Sequence, residues 1–422
     1  MRKPLITLLA AIAAVTLFAC TEQLDAGKSC PLLCPEQAIS LKDTTIDAVV
    51  VDTTIVGLPP IGGERFLMLS SHGDTLETRT IVRFDTIPAT FTKAGGDSSI
   101  TEVDSAFIVV PRAFADSLRR PKGPITIEAY DVDTSEADTV SSVLASLFRP
   151  DRFLGSRTYA PESLHDSVSV PISTDTVLNR VNSGARFRIG LRLVTSQGQG
   201  FDLRLGTTES GTPAELRIVA SLDTSATAVL VAPVSNSPPQ QLFLSAPLAD
   251  YTIVVRGATP APPGLIAVGG VPSRRTFLRF DLPSHIVDST TIVRASLLLT
   301  QSPNRRVDAN DTVVVYPLAI LASPRVTNIA SQLQFEAAPG FLGLDSLILA
   351  PGDSGPRAFE IAGLARTWRG QPLTVSPRTL GLSSAAEGEF PAEIDFFSTS
   401  AAPSLRPRLR ITYVPQTNFG LP

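Results

Sequence analysis

The chain has 422 residues, 43% hydrophobic and 18% charged, so it can bury a core and falls outside the class of disordered chains. Its formal charge is −4, about −6 once Arg2 and Lys3 are removed, and no basic stripe appears, which argues against nucleic acid as a partner. The 35 prolines are well spread, and runs rich in Val, Ile, Leu and Thr are common, which disfavours long helices and predicts many short strands joined by turns.

The N-terminus places Arg2 and Lys3 before an apolar run from Leu5 to Ala19. That run is too short for a comfortable transmembrane helix and has the layout of a secretory signal over residues 1–19. It ends in Leu17-Phe18-Ala19-Cys20, which resembles the lipobox of bacterial lipoproteins, where a small residue precedes the cysteine that is lipidated. The resemblance implies a membrane partner through acyl chains on Cys20. Several chains on one residue hold stably where a single one is marginal. Thr21 stands where an Asp would signal inner-membrane retention, so the resemblance implies the outer membrane.

Residues 20–39 then form a lipidated tether, which holds the other two cysteines, Cys30 and Cys34, in Cys-Pro-Leu-Leu-Cys-Pro. An exported chain meets an oxidising compartment, so a short-loop disulfide is expected, with free thiols as the alternative. A metal site needs further ligands, yet His72, His165 and His285 are scattered singly. A thioredoxin-type motif has two residues between its cysteines, and here there are three. No cofactor or metal is expected.

Beyond the tether the chain repeats itself. Ile81-Val-Arg-Phe-Asp85 returns 196 positions later as Phe277-Leu-Arg-Phe-Asp281, and each copy closes on a proline, Pro88 and Pro283. Flanking blocks recur in the same order: 103–111 with 293–303, 124–132 with 311–319, 187–194 with 378–385, and 200–218 with 393–411. Two tandem domains are predicted, 40–222 and 223–415, followed by a tail at 416–422. Within each, apolar and polar residues alternate with period two. Leu278, Phe280 and Leu282 share one face; Phe277, Arg279 and Asp281 share the other. The predicted fold class is all-β, two antiparallel jelly-roll-like sandwiches. One helical stretch interrupts it: Ile361, Leu364, Ala365 and Trp368 lie at helical spacing, with Gly370 as a stop.

Over about 245–415 the order of motifs is similar to the DNRLRE-type domain of bacterial exported proteins. The motifs are the 265–270 strand, Arg274-Arg-Thr-Phe-Leu-Arg-Phe-Asp281, Arg294-Ala-Ser-Leu-Leu-Leu, the turn ending Thr367-Trp368-Arg369-Gly370, and Phe396-Phe397 through Arg410. The first half resembles it more loosely, with Val181-Asn182 at the tryptophan position. The resemblance implies a jelly roll on a surface protein, with polysaccharide as ligand in some members. Fold alone does not assign function.

Candidate site residues follow from chemistry. Arg83/Asp85 and Arg279/Asp281 lie two apart on a strand and so share a face, which suits structural ion pairs. Tyr159, in a loop-like stretch, is the best aromatic platform for a sugar, while Trp368 is expected in the core. Asp131, Asp133, Ser135 and Asp138, and likewise Asp308, Asn310 and Asp311, are spaced like fragments of a calcium loop but read better as solvated turns. No enzyme signature is present, and no catalytic residue is assigned. The expected function is a non-catalytic envelope lipoprotein binding polysaccharide or surface glycan; the alternative is a scaffold that docks another envelope protein.

Overall fold

A computed structural model describes residues 41–59, 61–113, 119–196, 199–221, 226–237, 248–257, 259–309, 311–320, 337, 340–370 and 378–415. The expected lipidation of Cys20 and the Cys30–Cys34 disulfide lie outside these residues. So do the signal, the tether and the 416–422 tail.

The chain opens with β1 (Lys42–Ile46) and β2 (Val49–Leu58). There follow β3 (Leu67–Ser71), β4 (Glu77–Phe84), β5 (Thr90–Lys93), β6 (Gly96–Ser99), β7 (Ser105–Pro111) and β8 (Ile125–Asp131). Helix α1 (Ser141–Ser146) leads to β9 (Phe153–Tyr159) and β10 (Ser167–Pro171), and helix α2 (Thr174–Ser183) to β11 (Phe187–Thr195) and β12 (Phe201–Leu205). Then come β13 (Glu215–Val219), β14 (Val229–Val231) and β15 (Asp250–Arg256). The second half runs β16 (Leu265–Gly269), β17 (Ser273–Phe280), α3 (Ser284–Val287), β18 (Thr290–Ser302), β19 (Val313–Ile320), β20 (Leu347–Leu349) and β21 (Gly355–Glu360). It ends with α4 (Ala362–Thr367), β22 (Thr379–Ser384), β23 (Glu393–Phe397) and β24 (Arg408–Pro415).

The strands build two antiparallel sandwiches, as the period-two alternation predicts. Leu278, Phe280 and Leu282 enter the second core; Val82 and Phe84 enter the first. Phe277 and Ile81 point the other way, into small apolar clusters on the outer faces of β17 and β4.

The duplication extends to the pairing map. In the first sandwich β4–β11–β8–β9 are neighbours; in the second, β17–β22–β19–β20 are. Likewise β10–β7–β13 corresponds to β21–β18–β24, and β12–β3 to β23–β16. The helical turns correspond too. Trp368 follows α4, is 1% exposed, and lies 5.2 Å from the Phe280 ring. In the first half the same place is α2, capped by Ser173, whose hydroxyl accepts from the Thr176 N–H, and ended by Gly184 at φ 60°. Its Val177 and Val181 fill the core beside Phe84. Mid-strand glycines also match: a Cβ on Gly190 would sit 2.4 Å from the Phe148 ring, and one on Gly381 would sit 3.2 Å from Phe277.

The predicted boundaries at 40–222 and 223–415 are corrected. β14 pairs with β13 and β15 with β4, so residues to Arg256 complete the first sandwich. The equivalent places in the second sandwich are filled from the start of the chain: β1 pairs with β24 and β2 with β17. Ala48 and Val49 are accordingly part of the second core, not the first. Counting repeats along the chain misses this, because hydrogen-bonding places in a sheet need not be filled in sequence order.

Candidate functional site

The two filled places, here called clasps, are built from the same short sequence. Asp52-Thr-Thr-Ile-Val56 in β2 answers Asp250-Tyr-Thr-Ile-Val254 in β15. Asp52 lies opposite Leu278 and Thr54 opposite Thr276; Asp250 lies opposite Val82 and Thr252 opposite Thr80. The Thr54 and Thr276 hydroxyls are 3.1 Å apart. The Thr252 hydroxyl accepts the Met68 N–H at 3.0 Å. This repeat was present in the sequence but is too short and too ordinary for a strand to stand out there.

The clasps differ in burial. Tyr251 is fully buried, and its hydroxyl donates to Asp138 Oδ1 at 2.7 Å. β2 instead exposes Val50 (53%), Val51 (46%) and Val56 (46%). β1 is an edge strand whose Asp43 pairs with Arg410 at the surface.

Arg83 and Asp85 form the expected ion pair, at 2.5 and 2.7 Å. It belongs to a larger buried network. Arg83 also donates to Asp138 Oδ2 at 2.7 Å and to the Ser237 hydroxyl, and Arg188 Nε lies 3.1 Å from Asp138 Oδ1. Burial pushes the Asp85 carboxyl up, but the Arg83 guanidinium and the Asn236 N–H outweigh it and hold it below its usual value. The same burial drives the Tyr251 hydroxyl well above its usual value, and the Asp138 charge adds to it.

Arg279 and Asp281 do not repeat this arrangement. The register shift beside Arg279 lies on the β2 side, where Val51 and Val49 pair with Arg279 and Phe280 and Val50 is extra, and Asp281 lies exposed beyond the end of β17. Among the described residues no ion pair joins the two. The second sandwich places its buried charges at the start of β17. Arg274 pairs with Glu393, Arg275 Nη2 lies 2.5 Å from Glu387, and Arg306 reaches Glu393 and Asp395 at 2.5 and 2.6 Å. The signal for it in the sequence is the adjacent cations Arg274-Arg275 together with the acids Glu387, Glu393 and Asp395.

Tyr159 is also corrected. It is the last residue of β9, not a loop platform, and is 7% exposed. Its hydroxyl donates to the Ser169 carbonyl at 2.9 Å and accepts the Ser169 N–H at 2.6 Å. The solvated-turn reading fails at Asp138, which is fully buried. The calcium spacing is answered by arginines: Asp131 binds Arg180 at 2.7 Å, and Asp133 binds Arg186 at 2.7 Å. Asp308 and Asp311 do stay near the surface.

A polar cleft of about 370 Å³ was not legible in the sequence. Ser71, His72, Thr75, Thr195, Ser196 and Gln199 line it. His72 Nε2 lies 2.7 Å from Asp202 Oδ1, and the Ser70 hydroxyl donates to the same oxygen. Donating to the Asp202 carboxylate stabilises the protonated imidazole and raises the His72 pKa. Ser70 therefore bonds the carboxylate that His72 also meets, not the imidazole itself.

The sandwiches meet near the first residues after each clasp. Met68, Leu76 and Val271 form an apolar cluster there, the Arg65 N–H donates to Glu389 Oε1 at 2.8 Å, and Phe390 lies between Arg119 and Arg204. Beside this junction burial pushes Glu64 up to about 8. Burial, with the Glu209 charge, pushes Asp250 up to about 7.

No family model matches the chain, and no curated protein matches it. Among solved structures, a protein of Parabacteroides distasonis described as secreted is 8% identical, covers 88% of this chain and 99% of its own, and has a TM-score of 0.25. Infectious bursal disease virus structures follow. The Gt strain is 9% identical, covering 91% of this chain and 78% of its own, with a TM-score of 0.13. The VP2 subviral particle is 9% identical, covering 90% and 77%, at 0.11. At these scores the likenesses carry no argument about function.

Proposed function

We propose that this chain is an exported, lipid-anchored, non-catalytic envelope protein whose paired sandwiches serve as a rigid scaffold that docks another envelope protein. The observation that carries it is the position of β1 and β2. The strands that follow the proposed tether are hydrogen-bonded into the second sandwich at two places, β1 on β24 and β2 on β17, so force passed along the tether meets a ladder of the fold. Exposed apolar residues on edge strands suit a protein partner: Phe153 on β9 (46% exposed) and Ile348 on β20 (73%) occupy the equivalent edges of the two sandwiches. Tyr159, the aromatic side chain expected to stack a sugar, is buried in the first core.

Labelling with a palmitate analogue tests the anchor: label is expected on the parent chain and not on Cys20→Ser, and continued labelling of the variant contradicts it. A second reading, glycan binding, rests on the hydroxyl- and amide-lined His72 cleft. A glycan array decides between them. The scaffold reading expects a blank array; reproducible binding lost on His72→Ala establishes the glycan reading instead.

A further inference from the structure

Each clasp leads into the other sandwich. From β15, which completes the first sandwich, residues 257–264 run to β16 of the second. From β2, which completes the second, residues 59–66 run to β3 of the first. Both connections are eight residues long. The two connections are therefore alike in length and in the kind of strands they join, as in a closed ring of two repeats.

A ring of equivalent units has an open counterpart. Where a unit's place is filled by a strand from the next unit, a donor from another molecule satisfies the same hydrogen bonds as a donor from the same chain. The place on β17 and β24 selects its occupant by main-chain ladder bonds, by the Thr54–Thr276 hydroxyl contact, and by small apolar residues at Ala48 and Val49. Every copy of the chain carries that occupant. The two clasps differ in how easily they leave. β15 is locked by buried Tyr251 and Ile253 and by the Asp138 bond, whereas β2 leaves three of its four valines, Val50, Val51 and Val56, in solvent.

We propose that the β1–β2 clasp is exchangeable: residues 42–58 of a second copy can fill the place on the second sandwich, joining copies head to tail. Each new junction then repeats the one between β15 and β16 inside a single chain. Closure within one chain dominates in dilute solution, because the eight-residue connection gives the clasp an effective concentration on the order of millimolar. Exchange grows where copies crowd.

Disulfide trapping tests this on the full chain with Cys20→Ser, Cys30→Ser and Cys34→Ser. One preparation carries Thr54→Cys alone and a second carries Thr276→Cys alone. They are mixed, held concentrated or unfolded and refolded together, and then oxidised. A disulfide-linked heterodimer that increases with protein concentration is expected. The Thr54→Cys preparation oxidised by itself reports random encounter. A heterodimer no more abundant than that background overturns the proposal. So does its absence when a chain carrying both substitutions closes its own disulfide.

Discussion

The two sandwiches share a pairing map but are finished differently. The first is closed by strands that directly follow it, and the closing strand β15 carries Tyr251 onto a fully buried Asp138 flanked by Arg83 and Arg188. The second is closed by strands from the opposite end of the chain. They contribute Ala48 and Val49 to the core and leave their other valines exposed. The same hydrogen-bonding place is thus a permanent part of one sandwich and a surface attachment on the other. Ladder bonds decide where a strand goes; buried side chains decide how firmly it stays.

Removing residues 41–58 breaks the comparison most severely. It bares the edges of β17 and β24, and the second sandwich is expected to melt at least ~10 °C lower while the first moves by under ~3 °C. Differential scanning calorimetry resolves the two transitions; equal shifts in both contradict the assignment of this segment to the second sandwich.

Next in size is Asp138→Ala. It leaves Arg83 and Arg188 buried without their shared carboxylate and frees the Tyr251 hydroxyl, a loss of about 3–5 kcal/mol. Denaturant unfolding should show it in the first sandwich, with faster hydrogen exchange in β15 than in β2. Unchanged β15 protection would mean that the network does not lock the clasp.

Much of this fold was legible in the sequence. Period-two alternation around Phe280 and Phe84 placed both core strands correctly, because burial on one face of a sheet imposes that pattern. The helical spacing of Leu364, Ala365 and Trp368 gave α4 for the same reason. The clasp exchange was not legible, since β2 and β15 carry the same Asp-x-Thr-Ile-Val and nothing local says which partner each takes. Tyr159 was misplaced because its partner is the main chain of Ser169, a contact that side-chain patterns do not record. His72 and Asp202 are 130 positions apart and meet only through the β3–β12 pairing.

Glu64→Gln probes the junction next to both clasps. The folded-state pKa of Glu64, about 8, lies above its ordinary value of 4.5 because the carboxyl is buried. Its contribution is therefore most favourable below about pH 4.5, declines as pH rises, and levels off above about 8. The variant should match the parent near pH 4 and exceed it by a margin that grows with pH, up to ~5 kcal/mol at pH 9. A difference that does not grow with pH would contradict the burial argument.

The smallest effect is expected from Tyr159→Phe, which keeps the ring and loses two hydrogen bonds to Ser169, about 1–2 kcal/mol. Thermal melts check it. A stability loss confined to the first sandwich supports the core assignment; no loss would reopen the residue as a surface platform.

The central claim is that residues 42–58 belong to the second sandwich, and intrachain disulfide trapping tests it most directly. Two variants in the cysteine-free background differ only in the partner offered to β2. One combines Thr54→Cys with Thr276→Cys, and the other Thr54→Cys with Thr80→Cys, the position that Thr252 faces in the first sandwich. Rapid closure of the 54–276 disulfide, with the 54–80 pair left reduced, is the expected result. Closure of 54–80 would put β2 on the first sandwich and contradict the account.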